Sequence, residues 1–151
     1  MTQEEKRRMK HPETAYYHYN NVNPKNKITS DCVYRAIANA TGADYKTVAL
    51  DMTKMQVETG YDTGENRLID KYLTSLGWVK MNQPRNLDNT KLTGKQFIDR
   101  FSKHYNKVII SVGSHHLSCI IRGKFEDIWN CSNDKVGIYW VKPTNGVHNE
   151  L

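Results

Sequence analysis

The chain changes its grammar once, near residue 105, and that change limits what it can fold into. Before it, apolar residues recur at helical intervals. Val33, Ala36, Ile37 and Ala40 fall at i, i+3, i+4 and i+7, and Gly42 supplies the stop. Val48, Met52 and Met55 make one face of a second helix over 44–57. Leu68, Ile69, Tyr72, Leu73 and Leu76 mark a third over 65–76, before Gly77. Thr93 is placed to cap a fourth that carries Phe97, Ile98 and Phe101. After residue 105 come four short β-rich runs, "KVIISV", "HHLSCIIR", "KFEDIWNC" and "VGIYWVK". Helices first and antiparallel strands afterwards predict an α+β fold, not a parallel βαβ one.

A chain of 151 residues has room for one domain with one substantial core. The first 25 residues are polar, hold the cluster "AYYHYN", and read as an arm packing on the body through Tyr16, Tyr17 and Tyr19. A short helix is expected near 2–9. The domain proper is read as 26–142 and a C-terminal tail as 143–151. No apolar run approaches the roughly 18–20 residues of a membrane span, which predicts no membrane partner. The N-terminal "MTQEEKRRMKHPE" has charge but no apolar stretch behind it, unlike a secretory signal. The expected location is therefore a cytoplasm, where Cys32, Cys119 and Cys131 stay reduced. Three cysteines without a C-x-x-C spacing disfavour a disulfide framework or zinc site, and no metal or other cofactor is expected. The formal net charge of +6 is spread along the chain, apart from a knot at Lys6, Arg7, Arg8 and Lys10. Dispersed charge of this size serves solubility, so a nucleic-acid partner is not the favoured reading. The sequence sets no oligomeric state.

Cys32 stands where a helix begins, behind Ser30 and Asp31, either of which can cap the first turn. Unpaired amides and the positive end of the helix dipole favour thiolate there, and thiolate is the nucleophile. Cys119 lies inside the apolar run "LSCII" and is read as structural, and Cys131 has no activating context. A nucleophilic cysteine needs a base, and the base needs an orienting group. His115 and His116 begin one strand, and Asn130 ends the next. A two-residue Arg122-Gly123 turn sets His115 opposite Asn130, and a turn one residue longer sets His116 there. Asp127 is the competing orienter, about three residues short of the histidine along the ladder.

The order of a helix-start cysteine, a strand-start histidine and an asparagine one hairpin later resembles the papain-like cysteine peptidase fold. The "DC" leading into an apolar helix is similar to the nucleophile segment of bacterial leader-processing peptidases of that clan. More closely, "SDCVYRAIANATGADYKTV", "HHLSCIIRGKFEDIWNCS" and "YWV" resemble small papain-fold proteins encoded by bacteriophages. Papain relatives follow the catalytic histidine with a small-apolar strand, as "HLSCII" follows His116, which selects His116 over His115. The leader-processing enzymes carry a glutamine six residues before the cysteine for the oxyanion hole. Here 32 − 6 = 26, and Asn26 offers a shorter amide. The resemblance thus implies a thiol hydrolase acting on an amide or thioester of a protein or peptide, in the host cytoplasm if phage-encoded. Cys32 would attack, His116 would move the proton, Asn130 would hold the imidazole, and Asn26 with the Cys32 amide would stabilise the oxyanion. The alternative it implies is a catalytically silent binding protein on the same fold, such as a phage inhibitor of a host or defence factor.

Overall fold

The structure, a computed structural model, describes residues 1–143. The expected C-terminal tail lies, from residue 144 on, outside the described residues. Each helix begins or ends where the chain supplies the chemistry to do so. In α1 (Gln3–Lys10) the Thr2 hydroxyl accepts from the Glu5 amide. α2 (Cys32–Thr41) stops at Gly42, whose φ of 76° is left-handed and turns its amide back to the Ala38 carbonyl. The Asp44 carboxylate caps α3 (Tyr45–Thr59), and α4 (Asn66–Ser75) follows. Thr93 and Gln96 close a reciprocal capping box on α5 (Gly94–Phe101). Gly94 is required there: a Cβ would stand 2.6 Å from the Phe125 ring.

Six strands form one sheet: β1 (Tyr17–Tyr19), β2 (Val79–Met81), β3 (Lys107–Val112), β4 (His116–Ile121), β5 (Lys124–Asp127) and β6 (Val136–Val141). Their order is β1-β5-β4-β3-β6-β2. The fold is mixed α+β, with five helices and this mixed sheet among the described residues. Two features depart from helices followed by an antiparallel sheet. β1 precedes α2 and runs parallel to β5, with Tyr19 paired to Asp127. β2 lies between α4 and α5 and pairs antiparallel with β6. Both are three-residue strands recruited by distant partners, so no local periodicity announces them.

Both faces of the sheet are covered, which is why "VII" is an unbroken apolar run with Val108, Ile109 and Ile110 all buried. On one face Ile109, Leu117, Cys119 and Trp140 pack with α2, α3 and α4 through Ile37, Val48, Met52, Leu68 and Leu73. On the other, Val108, Ile110, Val112, Ile120 and Phe125 pack with Phe97 and Ile98 of α5 and with Tyr17 and Tyr19. Arg122 and Gly123 sit at φ of 50° and 81° and make the two-residue turn joining β4 to β5. That turn pairs Ile121 with Lys124 and Ile120 with Phe125. None of the described helices is long and apolar enough to cross a membrane.

Candidate active site

Cys32 is the first residue of α2, and its helix start is unusual. Asp31 occupies the N-cap position, yet its side chain makes no capping bond. Its carboxylate is taken by Arg35 Nε at 2.7 Å, the Tyr45 hydroxyl at 2.7 Å and Asn23 Nδ2 at 2.9 Å. The capping role expected of Ser30 or Asp31 is therefore unfilled, because a buried ion pair one turn along outbids the amides. The donors at the helix start stay available, at the positive end of its dipole.

His116 opens β4, and the Cys32 thiol is within hydrogen-bonding reach of its ring. Burial pushes the thiol up, but the His116 contact, the Leu117 amide and the charges of His116 and Arg35 overcome this and hold it below its ordinary value. On its far side the imidazole Nε2 lies 2.7 Å from Asp127 Oδ2, which leaves Nδ1 as the nitrogen for the thiol. Burial opposes the imidazolium, yet Asp127 and the two neighbouring thiols raise its pKa to about 11. The Trp129 ring lies over the imidazole, centroids 4.9 Å apart.

Asp127 is 2% exposed and fully satisfied. Oδ2 accepts from Ser118 Oγ at 2.6 Å and faces the imidazole. Oδ1 accepts from Arg35 Nη1 at 2.8 Å and from the Ile128 amide at 2.7 Å. Its carbonyl accepts from the Tyr17 hydroxyl and the Asn20 amide, so the N-terminal arm holds its backbone in place. Burial alone would raise the carboxyl, but His116, Arg35 and Ser118 hold it below its ordinary value. Arg35 thus joins the helix of the thiol to the strand of the carboxylate, its side chain only 7% exposed between Asp31 and Asp127.

Asn130 does not reach His116. Its Oδ1 accepts from the Ser132 amide at 3.0 Å and hydroxyl at 2.6 Å, closing a turn. The register expected for a two-residue turn is present, but β5 stops at Asp127, before the ladder reaches residue 130. Continuing that register sets Ser118 opposite Asp127 and His116 on the diagonal of the same face, within reach of a long side chain. Asn26 is also absent from the site: it is exposed, left-handed at φ 52°, and in a turn to Asn23. The cleft lining contains two side-chain amides, Asn66 of α4 and Gln83, and the Gln83 Nε2 is given to the Val136 carbonyl. The backbone amides at the start of α2, beginning with that of Cys32, are left uncapped by the N-cap side chain. His115 lines the cleft but is exposed.

Two residues escaped the sequence reading. Arg35 was hidden among helix positions that read as surface, although an Asp31/Arg35 spacing of i, i+4 is a visible ion-pair signal. Ser118 was hidden inside an apolar strand. Cys131 is 0% exposed, and burial pushes its thiol up. Ligand atoms of His116, Asp127 and Cys131 lie within 4.8 Å of one another. A cation does not suit them: both carboxylate oxygens are already bonded, and a guanidinium stands 2.8 Å away. The thiol and imidazole open onto a cleft of about 1110 Å³ between the start of α2 and the ends of the strands. Compared with known proteins, the chain matches no family model, no curated protein and no solved structure.

Proposed function

We propose that the protein is a papain-like cysteine hydrolase acting on an amide or thioester of a protein or peptide in a cytoplasm, with Asp127 in the orienting place expected of Asn130. One observation carries the reading: Cys32, His116 and Asp127, from three separate elements, touch in that order beside open helix-start amides. The Cys32 thiol is held below its ordinary value and the His116 imidazole is raised to about 11, both in the direction of a thiolate–imidazolium pair.

In this scheme the Cys32 thiolate adds to the carbonyl carbon, and the oxyanion is held by the Cys32 amide. His116 gives its proton to the leaving nitrogen or sulfur as that bond breaks, leaving an acyl-thioester on Cys32. Water then gives a proton to His116 and attacks the acyl carbon. The intermediate collapses, the C–S bond breaks with its electron pair returning to sulfur, and the acid departs, restoring the Cys32–His116 pair. Asp127 keeps Nδ1 aimed at sulfur and stabilises the imidazolium throughout.

Hydrolysis of a fluorogenic peptide library, with Cys32→Ala beside the wild type, tests the reading. Turnover by the wild type, absent from Cys32→Ala, is the expected result, together with a covalent Cys32 adduct of a peptidyl epoxide. Failure of both, with Cys32 reacting no faster than a free thiol, would leave the silent binding protein in its place.

A further inference from the structure

The cleft has an unspent cation at its rim. α1 carries four basic residues, Lys6, Arg7, Arg8 and Lys10, and of these Arg7 lines the cleft. Arg8 is occupied: it faces Glu4 at 3.6 Å and lies over the Tyr19 ring, 4.4 Å from its centroid. That stacking anchors α1 beside β1, and β1 pairs Tyr19 with Asp127. The helix is thereby fixed with Arg7 turned toward the cleft, half-buried, its guanidinium without a hydrogen bond or ion pair among the described residues. Ile28, Ile128 and Trp129 line the same cleft and offer apolar surface to a chain laid there.

The charge of the lining is one-sided. Its single carboxylate among the described residues is Asp31, buried and committed to Arg35. Arg7 is the lining cation that no described carboxylate balances, since Arg35 is paired with Asp31 and His116 with Asp127 beneath it. A half-buried guanidinium loses hydration that a carboxylate can replace in bidentate geometry, which a neutral amide matches poorly.

We infer that Arg7 forms a specificity subsite for an acidic side chain of a peptide substrate, carried close to the carbonyl that Cys32 attacks. The inference rests on the hydrolase reading of the same cleft. Arg7 selects the substrate and takes no part in bond breaking.

The test uses tripeptidyl acyloxymethyl ketones bearing Asp, Asn or Lys at each position in turn. Cys32 displaces the carboxylate of such a probe: the S–C bond forms, the C–O bond breaks, and the electron pair leaves with the carboxylate. Second-order rates read by intact mass should show Asp favoured over Asn by about tenfold at one position. Arg7→Gln should erase that preference, and Arg7→Glu should turn it toward Lys. Iodoacetamide, too small to reach the subsite, should label Cys32 alike in all three proteins. Equal rates for Asp and Asn in the wild type, or a preference surviving Arg7→Gln, would overturn the inference while iodoacetamide labelling keeps the hydrolase reading standing. An iodoacetamide rate no greater than that of a free thiol would instead overturn the reading beneath it. Protection of Cys32 by a short oligonucleotide, but not by an acidic peptide, would also overturn the subsite and assign the cleft to phosphates.

Discussion

Two thiols, Cys32 and Cys119, are related to the same histidine by different routes, one through space and the other along the chain. Cys119 is three residues from His116 on one strand, yet its Sγ points to the Glu126 carbonyl at 3.5 Å and is 0% exposed. Burial, with Asp127 and Glu126 nearby, pushes it well above the ordinary thiol value. Cys32 is remote in sequence but opens a helix against the first residue of β4, half-exposed, with its pKa lowered. Nearness along the chain counts for little here. The lowered thiol belongs to the end of an element, where amides are uncapped and a histidine from another element adjoins it.

The contrast is broken most directly by alkylation. Iodoacetamide at pH 7 should modify Cys32 at least about a hundredfold faster than Cys119 or Cys131, given burial and the expected range of thiol pKa values. Peptide mapping by mass spectrometry checks it, and equal labelling of the three thiols would erase the distinction.

The next largest effect belongs to the carboxylate behind the base. Asp127→Asn should lower peptide turnover by about 10²–10⁴-fold, since an amide neither stabilises the imidazolium nor fixes its tautomer as well. The iodoacetamide rate at Cys32 should fall in parallel. Retention of full turnover would move the orienting role elsewhere.

Arg35→Ala tests whether the helix start depends on the buried charge between Asp31 and Asp127. Removing the guanidinium from two buried carboxylates should cost about 3–5 kcal/mol of stability in urea unfolding. Arg35→Lys should recover part of this, without the fork that spans both acids.

The pH dependence sharpens the comparison further. Because the Cys32 pKa is lowered, its alkylation should persist to lower pH than that of a free thiol and decline as pH falls through that lowered value. Cys119, raised, should gain rate only in strong alkali. Loss of the imidazolium belongs to pH near 11, far from the working range. Asp127 is depressed on folding, so its contribution is present above the unfolded carboxylate value of about 3.9 and is lost as pH falls through its lower folded value. Stability of Asp127→Asn and wild type should therefore converge in acid.

Asn130→Ala should do least. It removes a turn bond to Ser132, costing on the order of 1 kcal/mol, and leaves turnover nearly unchanged. A loss as large as that of Asp127→Asn would restore Asn130 to the imidazole.

The helices from α2 to α5 and the strands β3 to β6 were legible because each carries its own period, cap or turn. So were the two poles of the site, since a cysteine at a helix start and a histidine at a strand start are local signals. Arg122-Gly123 even disclosed the hairpin register. What the register could not disclose was where the ladder ends, and that decides between Asp127 and Asn130. The Asp127 side chain takes its own following amide, and the chain leaves the strand there. Asn26 failed for a similar reason: a count of six residues assumes a backbone path, and the turn at Asn23–Asn26 takes another. β1 and β2 were invisible because their partners lie far along the chain.

The pairing of β1 with β5 also fixes when this chemistry can come into being. Tyr19 and Asp127 are separated by 127 − 19 = 108 residues, and Cys32 leaves the ribosome 116 − 32 = 84 residues ahead of its base. Contacts of such long range form late, after the loop between them has been closed. A growing chain therefore carries Cys32 as an ordinary thiol, with neither imidazole nor carboxylate yet made. Assembly of this cluster waits for the last third of the polypeptide, so a chain released before His116 and Asp127 cannot build it.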